Sequence, residues 1–159
     1  MLIDTVEQLV EFAELQDIQC FEERGRRVSW TDDERASRSF PEIDSSMGIE
    51  IGPHRVNYRV RMLYTDVEAE YIADWVAVVT IPDEHTVSAD AAHEYGDRVA
   101  FFAVYPYIRA SIYGSASRLN QPVPVLGVVR QGQFERGDRL SQDEARSRFE
   151  DNRSERSAS

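Results

Sequence analysis

The sequence predicts an α+β domain: a four-stranded antiparallel sheet with one long, kinked helix packed on one face, preceded by a short N-terminal helix. Three observations carry this expectation. In "RVNYRVRMLY", Val56, Tyr58, Val60, Met62 and Tyr64 alternate with Arg55, Asn57, Arg59, Arg61 and Leu63, the period-2 pattern of a sheet with one wet face. The next segment, "AEYIADWVAVVTI", puts Tyr71, Ala73, Trp75, Ala77 and Val79 on one side and is apolar on the other through Ile72, Val76 and Val78. Finally, "FFAVYPYIRASIYG", residues 101 to 114, reads as a helix that is apolar almost all round, with Pro106 in its middle. A proline there usually costs about 3 kcal/mol, so the segment needs strong packing to persist.

The elements follow in order. Asp4 or Thr5 can cap a first helix with an apolar stripe of Val6, Leu9, Val10, Phe12 and Ala13. "LQDIQCFEERGRRVSW" has strand character, with Ile18 and Cys20 alternating against polar neighbours, and "TDDERASRS" reads as loop. A second strand is expected in "IDSSMGIEIG", where Met47, Ile49 and Ile51 share a face. The third and fourth strands are the two already described, joined by "TDVE" as a hairpin. Pro82 ends the sheet, and Ser88 is an N-cap with Asp90 in the first turn. The helix from Ser88 to about Leu119 would be roughly 48 Å long, with bends at Gly96, Pro106 and Gly114. "NQPVPVLGVV" is an extended apolar segment. The remainder holds a short helix near residues 141–150 and ends in a disordered tail.

Bulk properties set the class. The chain has 159 residues, fits one domain, and is 42% hydrophobic, which is enough for a core. A formal charge of −11 argues against sequence-independent binding to nucleic acid or to an anionic membrane. The start "MLIDTVEQLVEF" lacks a basic n-region, and no apolar run approaches the ~20 residues needed to span a bilayer. A cytoplasmic protein without membrane insertion is expected. The one cysteine, Cys20, has no partner for a disulfide and reads as a half-buried strand residue.

Catalytic chemistry is not legible. His54, His85 and His93 are scattered, "AHEYG" lacks the second histidine of a zinc-binding HExxH, and no phosphate-cradling glycine motif or nucleophile elbow occurs. The expectation is therefore no enzyme, no cofactor and no metal site. The arginines of the third strand read as partners for the acidic residues of the fourth. What stands out instead is an excess of apolar surface, which a second subunit or an extended apolar ligand would have to cover. A small-ligand site over the sheet is the alternative from another class; it needs convergent polar groups.

From "AHEYG" through "YPYIR" to "RLNQPVPVL", the chain resembles the SecB family of export chaperones, whose long helix and following hydrophobic loop carry this pattern. Together with "EQLVEFAELQDIQ", it is most similar to the SecB-like chaperones linked to toxin–antitoxin systems. The resemblance spans roughly residues 7 to 130. It implies a chaperone domain over 1–140 with a charged tail over 141–159. It also implies an ATP-independent holdase for unfolded polypeptides, preproteins or an antitoxin, assembled as a homotetrameric dimer of dimers. A chaperone dedicated to one antitoxin is the narrower reading. Carried over residue by residue, clients would contact Met47, Ile49, Ile51, Tyr58, Val125, Leu126 and Val128. Subunits would meet at Ala73, Trp75, Ala77, Phe102, Pro106 and Tyr113, and the export motor SecA at Ile72 and Asp74. Arginines crowd the "FEERGRR" stretch where the family places an acidic SecA anchor.

Overall fold

A computed structural model describes residues 1–126. The elements are β1 (Leu2–Ile3), α1 (Val6–Phe12), β2 (Glu14–Arg27), α2 (Asp32–Ser37), β3 (Glu42–Ile51), β4 (Arg55–Thr65), β5 (Ala69–Thr80), β6 (Thr86–Val87), α3 (Ala89–Tyr95) and α4 (Phe101–Arg118). A π-helical turn, Gly96–Ala100, joins α3 to α4, so one helical rod runs from Ala89 to Arg118. Val128, the helix near 141–150, the boundary at residue 140 and the tail over 141–159 lie outside the described residues.

The sheet is antiparallel in the order β2-β5-β4-β3. It is the four-stranded architecture expected, with one helical rod on one face. Register explains which side chains meet that rod. Ile49 pairs with Tyr58, Met47 with Val60 and Ile51 with Val56, so all of these point the same way. Across β5, Tyr58 faces Ala77 and Val60 faces Trp75. The layer between sheet and rod holds Val56, Tyr58, Val60, Ala73 and Ala77 from the strands, with Val104, Ile108 and Ile112 from α4, all fully or almost fully buried.

Capping chemistry sets the local boundaries. Thr5 accepts a hydrogen bond from the Gln8 backbone N–H, and Ser88 does the same for Ala91. The stretch read as loop contains α2, held by a capping box in which Thr31 and Glu34 satisfy each other's backbone donors. The sequence signature T-x-x-E was present, but no apolar run followed it to signal a helix. A second addition is a two-stranded parallel pairing of β1 with β6, which fixes the chain start beside the entry to α3. Val10, expected in the stripe of α1, is exposed; Val6 and Leu9 are buried, and Phe12 and Ala13 are partly buried against the core.

The irregularity of the long helix sits at Gly96. A Cβ placed there would approach the Met47 methyl and the Tyr58 ring to 3.0 Å each, so glycine lets the rod press onto β3 and β4. The extra residue of the π turn is accommodated at this crossing. Pro106 and Gly114, also expected to bend the helix, lie inside the uninterrupted segment α4. The Pro106 ring is exposed, so the hydrogen bond it removes is on the wet side, where solvent can replace it.

Two glycines in one rod should therefore respond oppositely to substitution. Gly96→Val should lower stability by about 1–3 kcal/mol through overpacking against Tyr58. Gly114→Ala, whose Cβ meets nothing closer than 3.6 Å, should be neutral or stabilising by about 0.5–1 kcal/mol. Urea unfolding midpoints of the two variants check the contrast.

Candidate functional site

The helix-facing side of β3 carries the residues expected to meet clients. As an edge strand, β3 pairs only with β4 within the sheet, so its outer flank is not covered by another strand. Met47 and Ile49 are half-buried and packed against the core, whereas Ile51 is 41% exposed. The three form a row that passes from covered to open along one strand. Val125, in the extended segment after α4, is 91% exposed.

Two members of the expected client set are elsewhere. Tyr58 is fully buried, its hydroxyl donates to the Ala92 carbonyl at 2.8 Å, and its ring lies against Tyr95. Burial and the neighbouring Tyr95 push its hydroxyl well above the usual range, so it stays a neutral donor. Tyr58 is a core residue because β4 is a central strand directly under the rod. Leu126 is likewise folded into the core cluster.

The expected interface residues divide in the same way. Ala73 and Ala77 are fully buried beneath α4 of their own chain, which corrects their assignment to a subunit interface. Trp75 is half-buried at the margin: its indole N–H donates to Ser111 Oγ at 2.7 Å, and its ring lies tilted against Tyr107 with centroids 5.1 Å apart. Ser111 Oγ in turn donates to Glu23 at 2.9 Å, and Arg118 donates to the other oxygen of Glu23 at 2.8 Å. This chain of bonds ties β2, β5 and α4 together. On the outer side of α4, Phe102 and Tyr113 are half-buried while Pro106 and Tyr107 are exposed. The helix therefore covers its own sheet and still presents an aromatic stripe outward. Tyr107 belongs to that stripe and was not singled out from the sequence, although it flanks Pro106 in "YPYIR".

The face turned away from α4 has a different character. Asp74 is fully buried between two guanidinium groups: Arg59 Nε and Nη2 donate to it at 2.9 and 2.7 Å, and Arg61 Nε lies 2.9 Å from Oδ2. The hydrogen bond to Asp74 holds the Arg59 guanidinium even more firmly protonated than usual. Ile72 is buried on the same face. Neither is presented to a partner, so the expected SecA contact at Ile72 and Asp74 is not supported by an accessible surface. The pairing of third-strand arginines with fourth-strand acids, by contrast, was legible. Exposed on this face is Phe21, with the Arg59 guanidinium 4.8 Å above its ring. A bulge between Cys20 and Glu22 re-aims it, and bulges leave no mark in an alternation pattern.

Among the described residues, groups for catalysis do not converge. Among the described residues no three His, Cys, Asp or Glu side chains lie together in a way that could hold a metal ion. His54 contacts Asp83 in the solvent, and His85 packs against Phe12 with ring centroids 4.6 Å apart. Cys20 is exposed rather than half-buried, because its edge strand is covered only in part by α4. Partial desolvation, with Glu23 and Asp74 nearby, raises its thiol pKa and disfavours the reactive thiolate. No described helix is long and apolar enough to cross a membrane.

The described residues thus present an antiparallel sheet under one long helix, with an open apolar edge and a wet ion-paired face. Comparison with known proteins gives it a lineage. The chain is 29% identical over 129 residues to the SecB-like chaperone SmegB of Mycolicibacterium smegmatis, covering 81% of this chain and 84% of that relative. Among solved structures it matches the Mycobacterium tuberculosis Rv1957 SecB-like chaperone in complex with a ChAD peptide from the Rv1956 HigA1 antitoxin. That match has a TM-score of 0.64 at 18% identity, covering 77% of this chain and 94% of the other, and speaks to the fold. No protein-family model matches the chain. The protein is a homologue of SecB-like chaperones.

The buried triad makes a quantitative prediction. Asp74→Ala leaves two guanidinium groups facing each other, and should cost about 3 kcal/mol, since Arg61 has little route to water. Asp74→Leu combined with Arg61→Leu and Arg59→Gln should recover much of that loss. Denaturant titrations of the single and triple variants test it; a single variant within ~0.5 kcal/mol of the parent would mean that the pairs contribute little.

Proposed function

We propose that the protein is an ATP-independent holdase chaperone that keeps unfolded or partly folded polypeptides from aggregating. The observation that carries this reading is the row Met47–Ile49–Ile51, partly open on the flank of an edge strand, in a homologue of SecB-like chaperones. Each such contact is weak and non-directional. Flexible Met and aliphatic side chains can re-pack around different clients. Burying one exposed aliphatic side chain is worth about 1.5–3 kcal/mol at most, so useful affinity requires one client to engage several rows at once. Binding the unfolded state then draws the client away from aggregation by mass action, with no bond made or broken. On this reading the protein is not an enzyme and works in the cytoplasm.

The outward stripe of α4 supplies the means of bringing several rows together. Phe102, Pro106, Tyr107 and Tyr113, with Trp75 at their margin, form an aromatic surface that a second subunit would cover. A homotetramer in which such helices meet would place several client rows on one particle. Light scattering at micromolar concentration should give a mass above that of the monomer, and Tyr107→Asp should lower it by burying an unpaired charge. A monodisperse monomer of the parent chain would remove the assembly from the proposal.

A narrower reading makes the client a single antitoxin. It is favoured by the solved SecB-like neighbour being bound to a peptide from an antitoxin. The two readings differ in client range. Co-purification from the native cell should return many unfolded chains in the first case and one dominant partner in the second.

The client row is tested by Ile51→Ser and by the pair Ile49→Ser and Ile51→Ser. Because Ile51 is already largely open, its replacement should leave the melting temperature within a few degrees while weakening suppression of client aggregation. The double variant should also lose ~1–2 kcal/mol of stability, since Ile49 packs on the core. Addition of chelator or removal of nucleotide should change nothing in the same assay.

A further inference from the structure

The face of the sheet turned away from α4 contains a cleft of about 500 Å³ between β2 and β3. Val76 and Val78 of β5 form its floor, Phe21 one wall, and Arg55, Asn57 and Arg59 of β4 line it, with Gly48 leaving space opposite. Here the sheet is apolar at its base and polar at its rim, the composition of a recognition site rather than of a solvated strand face.

Charge bookkeeping shows what is missing. Arg59 is committed to Asp74. The Asp17 carboxylate, at the rim, accepts from the backbone N–H of Ile18 and from the Gln19 side chain, both at 2.9 Å. Glu50, also lining the cleft, has its own interaction partner. Arg55 is the remaining charged group, and no hydrogen bond or ion pair engages its side chain among the described residues. Two positions inward on the same face, Asn57 lines the cleft with its amide oxygen closed off from solvent. A guanidinium with no partner among the described residues favours a carboxylate, and the Phe21–Val76–Val78 surface favours a bulky apolar group.

We propose that this cleft docks a short extended segment of a partner polypeptide carrying one acidic residue beside one bulky apolar residue. The apolar side chain lies on Val76 and Val78 against Phe21, and the carboxylate meets Arg55. Asp17 and Glu50 at the rim, and the net charge of −11, disfavour a segment with several acidic residues. The cleft lies on the face turned away from α4; Ile49 of the client row also lines it, whereas Arg55 and Phe21 lie outside that row.

The test uses three fluorescein-labelled hexapeptides and the full chain: Gly-Ser-Trp-Asp-Ser-Gly, the same peptide with Asn for Asp, and the same with Ala for Trp. The first should bind more tightly than either of the others by about fivefold or more in fluorescence polarisation. Arg55→Gln should weaken the first about fivefold while leaving the Asn peptide unchanged. Phe21→Ala, at an exposed position, should weaken both without shifting the melting curve. Methyl resonances of Val76 and Val78 should move on titration, and neither variant should alter suppression of client aggregation. Failure of the first peptide to bind, equal affinity for all three, or indifference to Arg55→Gln would overturn the proposal. So would loss of client holding in Phe21→Ala, since the cleft would then be part of the client surface.

Discussion

A four-stranded sheet has two faces to protect, and the described chain supplies a single helical rod to cover one of them. That asymmetry governs the molecule. The covered face can use aromatic and aliphatic side chains freely, and does so with Tyr58, Val60, Ile108 and Ile112. The other face must seal the apolar centre of β5 without a helix. It does this with Arg59 and Arg61 closing over Asp74, and with Arg26 paired to the buried Glu70. Buried ion pairs seldom add net stability over an apolar alternative. Here they let a residue row lie beneath the surface while the surface itself stays hydrated, which an exposed valine ladder would not achieve.

The rod has the converse problem. Its buried side is set by register against the sheet, but its outer side retains Phe102, Tyr107 and Tyr113. An isolated domain under no further demand would place charges there, as on any helix that faces water. Keeping aromatic groups outward is a cost to solubility that the acidic composition offsets through mutual repulsion between copies. The same repulsion limits association to contacts with enough buried area to overcome it.

The architecture was legible because alternation and helical periodicity respond to burial. Residues 55–64 could be assigned strand and facing correctly, since a one-residue slip would move every arginine into the core. A pairing of third-strand arginines with acidic residues of the fourth strand was legible from the same pattern, although Asp74 itself was assigned to SecA. What alternation cannot reveal is depth. Met47, Ile49 and Tyr58 share a face, yet Tyr58 belongs to a central strand and is sealed, while Met47 and Ile49 are on an edge and only half-covered. Sequence similarity to a family conveys faces in the same way, so Ala73 and Ala77 were carried over as subunit contacts although their own helix already covers them. Phe21 was missed because a bulge breaks the alternation that would have marked it, and α2 because its capping signature introduces a helix with no buried side.

The strand order carries a kinetic consequence. β3, β4 and β5 form a meander whose neighbours are joined by short connections, so their pairing closes small loops. β2 instead joins the far side of β5, and even its nearest pair, Arg27 with Ala69, is 42 positions apart in the chain. Closing that loop costs entropy that the meander does not pay, so β2 is the strand whose docking waits for a preformed template. By the same logic it is the first strand to leave when the fold opens. The bonds from Glu23 to Ser111 and Arg118 then serve as a clasp: they fasten the late-arriving strand to a helix formed more than eighty residues downstream.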